Sequence, residues 1–256
     1  MNPLLKLSHV SFSYHEAEGE TPALSDISFD LEPGKFLAVV GPSGCGKSTL
    51  LSLICGLLTP EEGTISLFGL PFQEARAHIG YMLQRDHLFE WRTVYSNVVL
   101  GLEIQKKMTP DRLQKVDAML DTYGLSDFRS ARPSQLSGGM RQRAALIRTL
   151  ALEPDLLLLD EPFYALDYQT RLSVCDDIYE IIKREDKTAI LVTHDLSEAI
   201  SVADQILVLS RRPGRIQREV PIHFEMEKRT PMRARSAPEF QEYFNLIWKE
   251  LKNTNG

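Results

Sequence analysis

The fold of this chain is decided by the stretch Gly41-Pro42-Ser43-Gly44-Cys45-Gly46-Lys47-Ser48-Thr49. Its spacing, a glycine, four residues and then Gly-Lys-Ser/Thr, is that of a phosphate-binding loop. The residues from 36 to 40 are apolar and predict a buried strand, and those from 50 to 58 predict the start of a helix. A strand, a glycine loop and a helix form the context that this loop requires, so the motif predicts a nucleoside triphosphate site.

The loop residues have separate predicted parts. Lys47 is expected to reach the β- and γ-phosphates, and Ser48 is expected to place its hydroxyl on Mg²⁺. Because Cys45 lies inside the loop, alkylation of its thiol is expected to block the site. The backbone of the loop is expected to wrap the phosphates with N–H groups. Besides Cys45, the residues that supply this cradle are Gly41, Ser43, Gly44, Gly46 and Thr49.

Length and composition bound the class of protein. The 256 residues fit one large domain, or one domain with a subdomain and a tail. The net charge of −6 argues against a nucleic-acid partner. The three cysteines include no Cys-x-x-Cys pair, which suits a reducing compartment. No apolar run approaches the ~18 residues that span a bilayer, and no signal-peptide pattern opens the chain, so we expect a cytosolic protein that reaches a membrane through a partner.

A second motif places two carboxylates after an apolar run. Leu156-Leu157-Leu158-Leu159 predicts a strand covered on both faces, and Asp160-Glu161-Pro162 follows it directly. At this end of a strand, Asp160 is expected to hold Mg²⁺ through its water shell. Glu161 is expected to polarise the attacking water as a general base. The alternative is a pair of carboxylates that only cap the turn between the strand and the next helix.

A third motif is the string Leu136-Ser137-Gly138-Gly139-Met140-Arg141-Gln142-Arg143. A serine and two glycines at a helix start make a second anion site, although an ordinary turn before a helix is the alternative. One chain would then hold two phosphate cradles, of which only the first has the lysine and the magnesium groups. Two copies packed head-to-tail about a twofold axis resolve this, with each nucleotide between the Lys47 loop of one copy and the Ser137 loop of the other.

With this string, the chain resembles the nucleotide-binding subunit of ABC transporters from about residue 4 to residue 209. The resemblance implies ATP as the nucleotide and gives roles to four further residues. Tyr14 would stack on adenine, and Gln84 would contact Mg²⁺ or water and link a helical insert to the site. Asp167 would join the two protomers, and His194 would contact the γ-phosphate. From the residues alone, Tyr14 is a core aromatic, Asp167 a helix N-cap and His194 a structural histidine.

Three stretches resemble the nitrate/sulfonate/taurine-type import ATPases more narrowly. They are Glu161 to Arg171, Arg212-Pro213-Gly214-Arg215-Ile216, and Gln84 to Trp91 followed by residues 93–98. This resemblance implies transmembrane permease subunits as direct partners, an extracytoplasmic solute-binding protein as an indirect one, and a place on the inner face of the cell membrane. The solute would be of the nitrate, sulfonate, taurine or thiamine-precursor type. The alternatives are a soluble ABC-type ATPase that acts on nucleic acid or ribosomes, and the ATPase of an exporter.

The permease contact is expected at four apolar side chains, Leu88, Phe89, Trp91 and Val94, which could anchor a permease helix. The alternative is that they form the core of the helical insert. Glu90 departs from the pattern, because the import group commonly has proline at this place.

The predicted fold class is α/β, a P-loop NTPase core with an antiparallel β subdomain and an α-helical subdomain at about 91–134. Residues 1–210 are predicted to form the ATPase domain, and the segment from His15 to Pro22 is predicted to be turn-rich. Residues 211–256 form a basic extension, predicted to be solvated and loosely ordered up to an amphipathic helix from Pro238. The predicted apolar face of that helix is Phe240, Tyr243, Phe244, Ile247 and Leu251.

Overall fold

The computed structural model of the chain describes residues 3–16, 19–71 and 75–253, whose named strands form two sheets. The first sheet is antiparallel and has the order β2-β1-β4-β5. Its strands are β1 (Leu5–Glu16), β2 (Gly19–Leu31), β4 (Glu62–Leu67) and β5 (Leu70–Pro71). The turn-rich prediction for residues 15–22 is wrong in the described part of that segment, because Tyr14 pairs with Thr21 and His15 with Glu20 in a long hairpin. Backbone pairing with a partner strand outweighs the weak strand preference of these polar residues.

The second sheet carries the carboxyl ends on which the site depends. Its order is β10-β9-β3-β8-β7-β6, and every neighbouring pair is parallel except β9 with β10. Its strands are β3 (Phe36–Val40), β6 (Ile79–Met82), β7 (Leu156–Asp160), β8 (Thr188–Val192), β9 (Gln205–Leu209) and β10 (Ile216–Pro221). Every residue of β3 and β8 is buried, as expected of central strands covered on both faces. The predicted α/β class with an antiparallel subdomain is confirmed.

The helices of the central part of the chain include those of the predicted insert. The helices of this central part are α1 (Lys47–Ile54), α2 (Val94–Val98), α3 (Leu100–Ile104), α4 (Pro110–Thr122), α5 (Gly138–Leu150), α6 (Tyr168–Arg184) and α7 (Leu196–Val202). Of these, α2, α3 and α4 lie in the predicted insert. The insert at about 91–134 is helical in type, and buried side chains of α2 and α4 such as Val98 and Leu120 share one apolar core with α5. None of the helices that the structure describes is long and apolar enough to cross a membrane.

The basic extension is packed against the sheet, so the prediction of a loosely ordered segment is wrong. Strand β10 pairs with β9, and two helices follow, α8 (Pro231–Arg235) and α9 (Pro238–Asn253). The predicted apolar face of α9 is confirmed, since Ile247 is fully buried and the other four residues pack on the same core. The division at residue 210 stays a prediction.

The basic composition of the extension suggests a solvated segment, but some of its cations are packed into the fold. Arg229 is an example. Its Nη2 donates to Ile200 O at 2.9 Å and to Ala203 O at 2.7 Å, which satisfies the end of α7. Its Nη1 lies 3.5 Å from Asp204, and its guanidinium lies over the ring of Phe224. Burial lowers the pKa of Arg229, and these acceptors compensate the cost of burying the cation.

Replacement of Ile247 tests whether the extension stabilises the fold. We expect Ile247→Ala to lower the free energy of unfolding by about 2–4 kcal/mol, because it leaves a cavity in a buried site. Chemical denaturation measures this difference. The matched control is Lys249→Ala on the exposed side of the same helix, which should change it by less than about 0.5 kcal/mol. Equal stability of the Ile247 variant and the original protein would show that α9 is dispensable.

Candidate active site

The phosphate loop joins β3 to α1 and is shaped by close backbone contacts. Gly46 is the N-cap of α1 at a φ of 104°, in the left-handed region that favours glycine. A Cβ at Gly46 would lie 2.7 Å from Leu24 Cδ2 and 2.8 Å from Ala23 O. Any side chain there would therefore push the loop away from β2.

Lys47 is folded back over its own loop. Its Nζ donates to Gly41 O and to Pro42 O, each at 2.9 Å, and the residue is only 8% exposed. Both acceptors are neutral carbonyls. An anionic phosphate oxygen in the same place would accept a stronger, charge-assisted hydrogen bond.

A cavity of about 680 Å³ opens beside this loop. Its lining combines strands β1 and β2 of the first sheet, helix α1 and the loops that follow β3, β6, β7, β8 and β9. It includes Gln84, Glu161 and His194, which lie far apart in the sequence. The lining residues are Tyr14, Ala23, Ser43, Gly44, Gly46, Lys47, Ser48, Thr49, Gln84, Glu161, Tyr164, His194 and Arg212. The structure therefore brings most of the predicted site residues together.

Gly41 and Cys45 are outside that lining. The Cys45 side chain is 1% exposed, and burial raises the pKa of its thiol. A buried, protonated thiol reacts slowly with alkylating reagents, so alkylation of Cys45 should be slow. The spacing of the motif could not reveal this burial, because it does not say which way a side chain of the loop points. That alkylation of Cys45 blocks the site stays a prediction.

Asp160 and Ser48 form an oxygen pair at the end of β7. Ser48 Oγ donates to Asp160 Oδ1 at 3.4 Å, and the Tyr81 hydroxyl donates to Asp160 Oδ2 at 3.2 Å. Burial raises the pKa of Asp160, and the hydroxyls of Tyr81 and Ser48 oppose that shift. A hydroxyl and a carboxylate, both hard oxygen donors, fit a small divalent cation such as Mg²⁺.

Glu161 is held between two loops. Its backbone has a φ of 44°, an uncommon left-handed conformation for a non-glycine residue, and its N–H donates to Val192 O at 2.8 Å. Gln84 Nε2 donates to Glu161 Oε2 at 3.2 Å, and His194 Nδ1 lies 3.2 Å from Glu161 Oε1. Backbone strain of this kind persists where the surroundings fix it and is common at functional sites.

The Ser137 string and Asp167 do not line the cavity. Ser137 is the N-cap of α5 and its Oγ accepts from Met140 N at 3.3 Å, with Gly138 and Gly139 as the first two residues of the helix. Asp167 is the N-cap of α6 and accepts from Thr170 N at 3.1 Å, a bond that lowers the pKa of its carboxyl. Within one chain, the predicted second cradle at Ser137 is therefore separate from the cavity of the Lys47 loop.

The four predicted permease anchors divide into two pairs. Leu88 and Val94 are buried in the core that the insert shares with α5. Phe89 is 37% exposed and Trp91 is 71% exposed, and their ring centroids lie 4.7 Å apart. Only the second pair is available to a partner, and the core alternative is correct for the first.

The segment before Trp91 is fixed to the Ser137 string by Arg141. Its guanidinium bonds to Asp86 through Nε at 2.9 Å and to Glu90 Oε1 through Nη2 at 2.9 Å. Glu90, the departure from the importer pattern, thus gives Arg141 a second carboxylate. No sequence pattern indicates this bridge, because Glu90 and Asp86 lie 51 and 55 residues from Arg141.

Comparison with known proteins identifies the family. The model of the ABC transporter family matches residues 24–164, more than half of the chain. The chain belongs to the ABC transporter family. ATP-binding proteins of this family hydrolyse ATP to power transport, and this chain is such an ATPase.

Curated relatives are similar over nearly the full length. The chain is 47% identical to the uncharacterized ABC transporter ATP-binding protein YtlC of Bacillus subtilis, over 97% of this chain and 96% of the relative. It is 40% identical to the nitrate import ATP-binding protein NrtD of Synechocystis, over 97% and 95%. It is 38% identical to the taurine import ATP-binding protein TauB of Roseobacter denitrificans, over 95% and 94%.

A solved structure shares the fold. The chain superposes with a TM-score of 0.73 and 30% identity on a dimeric, post-hydrolysis state of the ATP-binding cassette MJ0796 bound to ADP and Pi. The match covers 86% of this chain and 99% of the other. The predicted resemblance to ABC ATP-binding subunits is confirmed.

Glu198, a buried acid close to Glu161 and His194, makes the stability of the protein depend on pH. Glu198 is 3% exposed and accepts from Thr193 Oγ1 at 2.6 Å, and burial raises its pKa to about 7. Between the unfolded pKa of roughly 4.3 and about 7, the folded protein keeps a proton that the unfolded chain has lost, so stability falls as pH rises. In Glu198→Gln this fall is absent. We expect the variant to gain roughly 1–3 kcal/mol in unfolding free energy over the original protein between pH 5 and pH 8.

Guanidinium denaturation at several pH values measures that gain. Glu242→Gln, at an exposed glutamate of α9, is the control and should show no such trend. A stability difference for the Glu198 variant that is constant with pH would contradict the raised pKa.

Proposed function

We propose that this chain is the ATP-hydrolysing motor subunit of an ABC importer, which drives uptake of a small solute through separate permease subunits. The observation that carries the chemistry is the Glu161 carboxylate, which lies between Gln84 and His194 at the cavity of the Lys47 loop. The similarity to nitrate and taurine import proteins supports the direction of transport. We place the solute in the nitrate, sulfonate, taurine or thiamine-precursor class, on the sequence resemblance.

In this proposal the phosphate loop binds the substrate ATP. Lys47 exchanges its two carbonyl acceptors for β- and γ-phosphate oxygens, and Tyr14 stacks on adenine. Ser48 and Asp160 would hold Mg²⁺, with Gln84 as a further oxygen donor. When bound, the ion neutralises charge on the phosphates.

Glu161 then acts as the general base. One carboxylate oxygen accepts a proton from the attacking water, and the Gln84 amide orients the carboxylate through the other oxygen. His194 contacts the same carboxylate in the free protein. When ATP is bound, His194 leaves Glu161 and donates to the γ-phosphate. A base that keeps its hydrogen bonds from Gln84 and to Val192 loses little conformational freedom when it acts.

The second cradle comes from a partner copy. Ser137, Gly138 and Gly139 of one chain contact the γ-phosphate bound by the other, and Asp167 joins the two chains. ATP then favours the closed dimer, because its γ-phosphate touches both copies, and hydrolysis removes that contact. The dimeric ADP-bound relative supports this arrangement.

The permease contact is the exposed pair of Phe89 and Trp91. Aromatic side chains that are exposed in a free subunit are frequent anchors of a partner helix. The subunit would lie on the inner face of the cell membrane, and a solute-binding protein would act on the opposite side of the permease. Opening and closing of the dimer then becomes alternating access of the permease.

Replacement of Glu161 tests the chemistry. We expect Glu161→Gln to keep ATP affinity and to lower the rate of phosphate release by about 10²- to 10⁴-fold, the usual contribution of a general base. Glu62→Gln, the same change at an exposed residue of β4, is the control and should hydrolyse normally. Undiminished hydrolysis by the Glu161 variant would refute the base assignment.

Light scattering on the same variant tests the shared site. Since the variant binds ATP without consuming it, we expect a dimer at saturating ATP and a monomer without nucleotide. A monomer that is fully active at saturating ATP would refute a site shared between two copies.

Trp91 tests the permease contact. We expect Trp91→Ala to lose the polytopic membrane protein that co-purifies with the tagged subunit from its native membranes, because the change removes the largest exposed anchor. Ile104→Ala is a matched control, because Ile104 lies in the same helical insert and is 72% exposed. Mass spectrometry of the purified fractions measures the difference. Loss with the Ile104 variant but not with the Trp91 variant would move the contact elsewhere.

A further inference from the structure

The turn from Ser210 to Arg215, at the start of the extension, is held by its own hydrogen bonds. Ser210 N donates to Arg215 O at 2.9 Å, and Arg215 N donates to Ser210 Oγ at 3.0 Å. Ser210 Oγ in turn donates to Arg211 O at 2.9 Å. These bonds close the turn on itself and fix the place of its middle residues.

This turn is seated on the phosphate loop. Gly214 N donates to Ala23 O at 2.9 Å, and Ser25 N donates to Gly214 O at 3.0 Å, so the turn pairs with β2. A Cβ at Gly214 would lie 2.2 Å from Cys45 O, a distance that no side chain tolerates. The extension therefore touches the backbone of the phosphate loop directly.

Arg212 projects from this turn to the cavity. Its Nε donates to Pro22 O at 3.0 Å, and the residue lines the cavity together with Tyr14 and Ala23. Tyr14 pairs with Thr21 across β1 and β2, and its hydroxyl lies 3.1 Å from Thr49 Oγ1. Arg212 and Tyr14 thus enter the cavity beside neighbouring residues of β2, Pro22 and Thr21.

The groups assigned to the terminal phosphates have other origins. Lys47 belongs to the phosphate loop itself, Asp160 ends β7, Glu161 follows it, and His194 follows β8. Tyr14 is the residue assigned to stack on the adenine ring. The position of Arg212 beside Tyr14 therefore favours a contact with the nucleoside part of the nucleotide over one with the γ-phosphate.

We propose that the Arg212 guanidinium contacts the adenosine end of the bound nucleotide, which makes the extension a part of the nucleotide site. This inference rests on the nucleotide site proposed above. A guanidinium presents five N–H donors in one plane and stacks on aromatic rings, so it can donate to ribose hydroxyls or ring nitrogens. Because ATP and ADP share the adenosine part, the contact strengthens the binding of both.

Calorimetric titration of the full chain with ADP and with the non-hydrolysable analogue AMP-PNP tests this. We expect Arg212→Ala to raise both dissociation constants by the same factor, roughly three- to tenfold, as for one charge-assisted hydrogen bond at a partly open site. The loss should appear in the KM for ATP and not in kcat. Arg215→Ala is the matched control, since Arg215 lies in the same turn but not in the lining, and should bind both nucleotides within twofold of the original protein.

Three results would overturn the inference. They are unchanged affinity of the Arg212 variant, a loss confined to AMP-PNP, and a loss that comes with a lower melting temperature of the nucleotide-free protein. The last would show that Arg212 only anchors the turn to Pro22. Lys47→Ala separates this inference from the proposed site, because full nucleotide affinity of that variant would refute the site itself. Loss of affinity in the Lys47 variant, with none in the Arg212 variant, would refute only the role of Arg212.

Discussion

The site depends on the register of β8 between β3 and β7. Val192, the last residue of β8, pairs with Val39 on one side and with Asp160 on the other. The ladder continues past the strand, since Glu161 N donates to Val192 O. These strands are buried on both faces, so every backbone group must find a partner in the ladder and the register is fixed. One residue thereby aligns the strand of the phosphate loop with the strand of the carboxylates.

That alignment explains how a strained residue stands at the centre of the cavity. Glu161 leaves its strand with a positive φ, which turns its side chain away from the strand direction and toward Gln84 and His194. The cost of such a conformation is of order 1–3 kcal/mol, and the ladder bond to Val192 helps to hold it. The two neighbours follow β6 and β8, the strands on either side of β7. The parallel sheet brings the ends of β6, β7 and β8 together, although no local sequence pattern indicates the contacts between their side chains.

What the sequence predicted well follows from local patterns. The apolar runs at 36–40 and 156–159 predict buried strands, and the structure has β3 at Phe36–Val40 and β7 at Leu156–Asp160. In these elements the local signal and the packing agree, so the predicted bounds match those of the structure to within one residue. The phosphate loop is a local pattern too, because its spacing carries its geometry.

What the sequence missed comes from packing between distant segments. In β10 charged residues surround the buried Val220, so the strand has the composition of a solvated tail. Arg229 adds to the positive charge of this segment, although its acceptors, Ile200 O and Ala203 O, lie at the C-terminal end of α7. Arg212 reaches the cavity only because the turn at Gly214 sits on the phosphate loop. Burial of Cys45 and the division of the permease anchors have the same cause, since a motif states which residues occur and not which way they face.

The segment from Gln84 to Trp91 joins these parts under the proposed function. Its first residue, Gln84, donates a hydrogen bond to Glu161. Asp86 and Glu90 accept hydrogen bonds from Arg141 of the Ser137 string, and Trp91 is exposed. Asp86 is half-buried, and hydrogen bonds from Arg141 lower its pKa, so this bridge stays charged and intact across the neutral range. These contacts fasten the segment to α5. Under the proposed function, a change at Glu161 on hydrolysis would therefore reach both α5 and the exposed aromatic pair through this one segment. Glu90 adds an ion pair with Arg141 that proline at the same place could not make.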